Sequence, residues 1–227
     1  MEITRKLEIC CQDIQSVLSA KEGGADRIEL CSALEIGGIT PSIGLIKEAV
    51  RIFGKGVFVL IRERGGDFVY SSSEISVMKQ DIIESKKAGA TGVVVGVLNK
   101  NKEIDSEALS LLVAAASGME ITFHRAFDEV IDPFKSMETI IEKGCHRILT
   151  SGQQKSALEG VELLYELNKK SDGRIIILPG AGITSHNCNE ILNKTGCHEI
   201  HASAKSPFHN TWCSDLNEIK QIKKNIR

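Results

Sequence analysis

Gly196-Cys-His-Glu-Ile-His201 closes a helical pattern on glycine and runs straight into an apolar stretch. It is the fourth junction of this form. Gly24-Ala-Asp-Arg-Ile-Glu29, Gly89-Ala-Thr-Gly-Val-Val94 and Gly144-Cys-His-Arg-Ile-Leu149 read the same way. In each, a glycine that tolerates the left-handed conformation ends a helix, and a strand begins shortly after. The four glycines are separated by 65, 55 and 52 residues, about two strand-plus-helix units each.

Working outward, strands are expected at 7–11, 27–31, 57–62, 92–98, 120–125, 147–152, 174–179 and 199–204. Amphipathic helices are expected between and after them, at 13–22, 42–53, 73–88, 105–117, 133–143, 157–171, 187–194 and 216–224. Asp13 and Ser73 suit helix N-caps, and Pro133 a first helical turn. Eight units in 227 residues leave about 28 residues for each. Strict βα alternation predicts a parallel sheet. A doubly wound open sheet usually carries a Gly-rich loop after its first strand. Here that strand runs into Cys11-Gln-Asp-Ile14. The α/β reading is therefore a closed (β/α)8 TIM barrel, a single domain spanning 1–227.

Composition narrows the function. Lys plus Arg total 28 against 30 Asp plus Glu, so no basic footprint predicts nucleic acid or an anionic membrane as partner. Aromatics at 4% weaken a base-stacking reading. No apolar run approaches a membrane span, and the first residues, Met1 to Glu8, are too polar for a signal sequence. Seven cysteines, an odd number with Cys10 and Cys11 adjacent, predict free thiols in a reducing cytoplasm. Cys145-His146 and Cys197-His198 fall at helix-to-strand turns, the far end of a barrel. Cys188 and Cys213 read as bystanders, and the Lys-rich stretch 220–227 as a solvated helix face.

In a barrel the active site sits at the C-terminal ends of the strands. Several strands carry polar residues there instead of a Val, Ile and Leu run. Alternation places Glu8 with Cys10, Glu29 with Cys31, and Glu199 with His201 and Ser203. Strand three ends in Arg62, and strand five in Thr122, His124 and Arg125. Glu8, Glu29, Arg62, His124 and His201 are thus expected at one mouth, with Glu8, Glu29 and Arg62 able to pair. Buried charges are costly unless paired. Gly180-Ala-Gly182 and Ser203 follow strands seven and eight, where barrels often bind phosphate. Gly180, Gly182 and Ser203 are therefore the candidate anion site. Cys10 and Cys31 end adjacent strands about 4.8 Å apart, so their thiols could approach. Soft thiolates suit Cu(I) or zinc.

A family resemblance joins these segments. Glu8-Ile-Cys10, Gly23-Gly-Ala-Asp-Arg-Ile-Glu-Leu-Cys-Ser32, Gly37-Gly-Ile-Thr-Pro41, Arg62 with Arg64-Gly-Gly-Asp-Phe68 and Tyr70, Thr122-Phe-His-Arg-Ala-Phe-Asp128, Arg147-Ile-Leu-Thr-Ser-Gly-Gln153 and Gly180-Ala-Gly182 together resemble the CutC family, named as copper homeostasis proteins. The resemblance covers roughly 5–205, and the segment containing Trp212 matches weakly. It implies a TIM barrel and a cytoplasmic homo-oligomer, a dimer or tetramer. It also carries copper binding over to Cys10 and Cys31. Copper alone does not explain Glu8, Glu29, Arg62, His124, Arg125, Asp128 and His201, which read as acid–base machinery. Two functions follow. The first is a copper homeostasis protein with Cu(I) as its ligand. The second is a metal-independent lyase, isomerase or hydrolase acting on a small sugar-like or phosphorylated molecule.

Overall fold

The computed structural model describes residues 4–205 and 213–227. Among these, eight strands and eight α-helices alternate: β1 (Lys6–Cys11), α1 (Ile14–Gly23), β2 (Arg27–Leu30), α2 (Ile43–Phe53), β3 (Val57–Leu60), α3 (Ser72–Lys87), β4 (Gly92–Val95), α4 (Ser106–Ala115), β5 (Glu120–Phe123), α5 (Pro133–Glu142), β6 (Arg147–Thr150), α6 (Val161–Ser171), β7 (Ile176–Pro179), α7 (Cys188–Thr195), β8 (Glu199–Ala202) and α8 (Leu216–Asn225). Parallel ladders run from β7 back through β1 and on to β8. β7 and β8 lie side by side and complete a nearly closed ring. This is the TIM barrel expected from the alternation. No helix among the described residues is long and apolar enough to cross a membrane.

Local chemistry sets the helix starts. Asp13 accepts the Ser16 N–H, Asp105 the Ala108 N–H, and Asp132 the first free N–H groups of α5 behind Pro133. α3 begins on a capping box in which Ser71 and Glu74 satisfy each other's backbone. Its cap is therefore Ser71 and not the expected Ser73, because only Ser71 has glutamate three residues on. α6 starts at Val161, four residues later than expected; Gly152 and Gly160 meet backbone to backbone just before it and hold the preceding loop off the helix. Six strands (β2, β3, β4, β5, β6 and β8) end earlier than expected, whereas β1 and β7 end where expected and β7 begins two residues late. At the six early ends the chain leaves the ladder to build the rim.

Two packing zones result. The outward strand residues, Val, Ile and Leu with Cys11, pack against the helices. The inward face is layered, and the four repeated junctions generate the layers. The third residue after each junction glycine is Arg27, Gly92, Arg147 or Glu199; the fifth is Glu29, Val94, Leu149 or His201. Alternate strands of a barrel supply such layers of four. In the lower layer Arg27 pairs with Glu8 and, at 2.6 Å, with Glu199; Arg147 pairs with Glu199 at 2.9 Å and with Glu120. The Phe58 ring lies 5.6 and 5.4 Å from the Arg27 and Arg147 guanidinium groups. Glycine is needed at position 92, because a Cβ there would fall 2.3 Å from the Phe58 ring. Buried charges at this depth are tolerable only with such complete pairing.

Candidate functional site

The upper layer opens into a cavity of about 500 Å3 at the strand C-termini. Cys10, Glu29, Arg62, His124, Arg125, Asp128, Gly182, His201 and Ser203 line it. Alternation and barrel closure together put them there.

The two thiols meet. Cys10 Sγ and Cys31 Sγ are 3.7 Å apart, at the ends of adjacent strands. Cys10 reaches the cavity wall, whereas Cys31 is fully buried behind it. Their mutual hydrogen bond and their burial push the Cys10 thiol well above the usual cysteine range. Cys11 faces the outer core and is likewise pushed up, chiefly by burial. Cys145 and Cys197, also buried, stand at the opposite end of the barrel and are pushed to about 12 by burial.

Glu8 does not reach the cavity. It is sealed one layer below, held by Arg27 and by His201 Nδ1 at 2.7 Å. Burial raises its pKa, but the Arg27 charge and the His201 hydrogen bond outweigh that and leave it at about 2. Glu29 is the contrasting carboxylate. Burial and the Glu8 charge raise it to about 7 against the pull of His201, whose Nδ1 lies 3.9 Å from Oε2. His201 is disfavoured as a cation by burial. Its hydrogen bonds to Cys10 and Glu8 and the charges of Glu29 and Glu8 more than offset this, so it titrates well above the ordinary histidine value. Glu8, Glu29 and His201 also bring three ligand atoms within 4.8 Å of one another.

The expected pairing of Glu8 and Glu29 with Arg62 is not formed. Arg62 instead binds main-chain carbonyls, Ile36 O at 3.1 Å, Gly38 O at 3.0 Å and Gly66 O at 2.7 Å, and stacks on Phe68 at 4.9 Å. The physical reason is position: Arg62 lies beyond the end of β3, level with two glycine-containing rim loops whose carbonyls point inward. Arg27, on the adjacent strand at the depth of Glu8, takes the carboxylate instead.

His124 packs over Gly96 and against Phe68, with ring centroids 5.0 Å apart. Its Nδ1 accepts the Ala126 N–H at 3.1 Å. Burial and the neighbouring Arg62 charge lower its pKa to about 3. The ring is therefore neutral with its proton on Nε2, a fixed tautomer.

Arg125 and Asp128 lie on the rim as a pair at 2.7 Å. Asp128 also accepts from Thr150 Oγ1, Ser151 N and Oγ, and Gln153 N. With its lone pairs so engaged, Asp128 clamps the loop after β6 and positions Arg125, whose guanidinium also reaches Ser151 Oγ. Of the anion candidates, Gly182 and Ser203 line the cavity. Gly180 lies behind it, where a Cβ would come 2.5 Å from Leu149. Sequence reasoning missed the Arg27–Glu199–Arg147 network below the site, though its signal was present in the shared third position of the repeated junctions. Phe68 and Lys205, which also line the cavity, had no such signal.

The comparisons with known proteins agree with this architecture. The CutC family model matches residues 5–206. A Glaesserella parasuis family protein CutC is 47% identical over 200 residues, 88% of this chain and 82% of that protein. A human copper homeostasis protein cutC homolog is 48% identical over 203 residues, 88% of this chain and 73% of that protein. A Streptococcus agalactiae crystal structure, named as a candidate copper homeostasis protein CutC, superposes with TM-score 0.84 at 33% identity, covering 88% of this chain and 99% of that one. A phosphoribosylanthranilate isomerase from Pyrococcus furiosus, at TM-score 0.63 and 12% identity over 98% of each chain, shares the fold alone. With the family segments in order on the eight strands and the relatives matching along most of their length, this chain belongs to the CutC family.

Proposed function

We propose that this protein handles copper as Cu(I), taken up at the barrel mouth by Cys10 and Cys31. The observation that carries the reading is the 3.7 Å separation of the two sulfurs, with one of them on the cavity wall. Zinc–thiolate bonds of ~2.3 Å let one ion bridge sulfurs up to ~4.6 Å apart, so the pair fits a single thiophilic ion. Soft thiolates favour Cu(I) over the harder divalent ions. The names of the human and streptococcal relatives point the same way. His201, hydrogen-bonded to Cys10 and steered by Glu8, supplies a further nitrogen ligand once the incoming ion displaces its proton. The reading places these free thiols in a reducing cytoplasm. It also carries over self-association into a dimer or tetramer, which sedimentation at two concentrations measures.

The test is titration of the reduced protein with Cu(I) against a competing chelator. The expected result is one ion per chain, lost when Cys10→Ser and Cys31→Ser are combined. Unchanged affinity in that double variant would refute the proposal. The metal-independent lyase, isomerase or hydrolase alternative draws on other atoms, the Arg62, His124 and Glu29 side of the mouth, and needs no thiol.

A further inference from the structure

Three buried polar atoms at the mouth have no hydrogen-bond partner among the described residues: Glu29 Oε2, Arg62 Nε and His124 Nε2. They come from three different strand ends, and all three residues line the same cavity. Folded proteins leave few such atoms unsatisfied, because an orphaned buried donor or acceptor gives up its bonds to water and gains none in return. Copper does not account for them. A cation gains nothing from an arginine or from an imidazole that presents N–H.

The chemistry of the orphans defines what would satisfy them. With His124 Nδ1 occupied by the Ala126 N–H, Nε2 is a donor. Arg62 Nε is also a donor. Donors on one cavity wall call for an acceptor oxygen, such as a carbonyl or carboxylate. Glu29 Oε2 can hydrogen-bond a hydroxyl in either of its protonation states. Elsewhere on the cavity wall, Ala181 and Gly182 are successive left-handed residues with φ of 79° and 70°, and Ser203 stands beside them on the lining. Such turns present backbone N–H groups to anions, and this is the barrel position where phosphate is often held. Lys205 and Arg125, the latter paired with Asp128, are cations of a lining that also carries Glu29 and Glu129. Phe68, half-buried, packs against both His124 and Arg62 on the same wall. A space of about 500 Å3 lies within the ~300–1,000 Å3 typical of small-molecule sites.

We infer that the barrel mouth binds a small phosphorylated carbonyl or hydroxy-acid compound, with its carbonyl or carboxylate oxygen on His124 and Arg62 and its phosphate on the Ala181–Gly182 turn. The site is independent of the copper reading, since neither thiol takes part.

The probe is 2-phosphoglycolate, which carries a phosphate at one end and a planar carboxylate at the other. Metal-free wild-type protein is heated with about 10 mM of 2-phosphoglycolate, glycolate or inorganic phosphate. The two-ended probe is expected to raise Tm more than either fragment. His124→Phe keeps a ring against Phe68 but removes the donor, and should weaken binding by about tenfold or more. Should that variant not fold, histidine 15N NMR of the wild-type protein decides: 2-phosphoglycolate should shift the His124 Nε2–H resonance. Three results overturn the inference. One is no response of Tm or of that resonance to 2-phosphoglycolate. Another is a Tm shift by phosphate alone equal to that of the two-ended probe. The third is equal binding by a folded His124→Phe.

Discussion

Replacing His124 by asparagine should flatten the acid sensitivity of the fold. In the native protein, burial and the Arg62 charge hold His124 neutral down to about 3. In the unfolded chain it takes up a proton near 6.5. Below that value the unfolded state binds more protons, so stability falls as pH falls, until the folded imidazole itself titrates near 3; above 6.5 the group has no effect. Integrating the proton uptake of one such site gives a loss of about 2 kcal/mol between about pH 7 and about pH 5. Asparagine keeps an oxygen acceptor for the Ala126 N–H and cannot titrate. Its smaller volume lowers stability at every pH but leaves the slope unaffected. Urea unfolding at the two pH values, followed by circular dichroism, measures both proteins. Glu8, Glu29 and His201 act in wild type and variant alike, so the comparison isolates His124. If wild type and His124→Asn lose the same stability on acidification, the native imidazole is not held neutral and the fixed tautomer falls with it.

Further outcomes follow from the same contacts. Arg27→Met leaves Glu8 and Glu199 buried without their shared cation and should cost about 3–5 kcal/mol in equilibrium unfolding. Arg51→Met, which breaks the exposed pair with Glu48, should leave the unfolding midpoint nearly unchanged in the same assay. Gly96→Ala puts a Cβ 2.2 Å from the His124 ring. It should destabilise by about 1–3 kcal/mol and displace the His124 signal in a histidine NMR spectrum. Cu(I) affinity should weaken about tenfold per unit fall in pH for each thiol proton that binding displaces. The raised Cys10 thiol makes at least one such proton certain to be counted, and a pH-independent affinity would show that Cys10 is not a ligand.

The eight-unit organisation was legible because it is local. Glycine at helix ends, Asp and Ser at helix starts and the alternation of two periodicities each act within a few residues, and their repetition already implies a barrel. The end of the barrel where polar residues gather was legible too, since polar residues at strand C-termini stand out against a β-branched background. Tertiary structure decided the partners. Glu8 and His201 lie 193 residues apart in the chain, and only closure of β1 on β8 makes one steer the other. The sequence offered Arg62 to Glu8, and Arg27 took its place. Depth along the barrel axis separates them, sending Arg62 to the rim carbonyls and Arg27 to the carboxylate. The same logic divides two glutamates of similar sequence setting. Glu8 is hydrogen-bonded to the Arg27 guanidinium and is held at about 2, whereas Glu29, which Arg27 reaches only through its charge, is pushed by burial to about 7. Residue type and period are written in the chain, but charge state depends on which groups share a low-dielectric interior, and that is known only once the ring has closed.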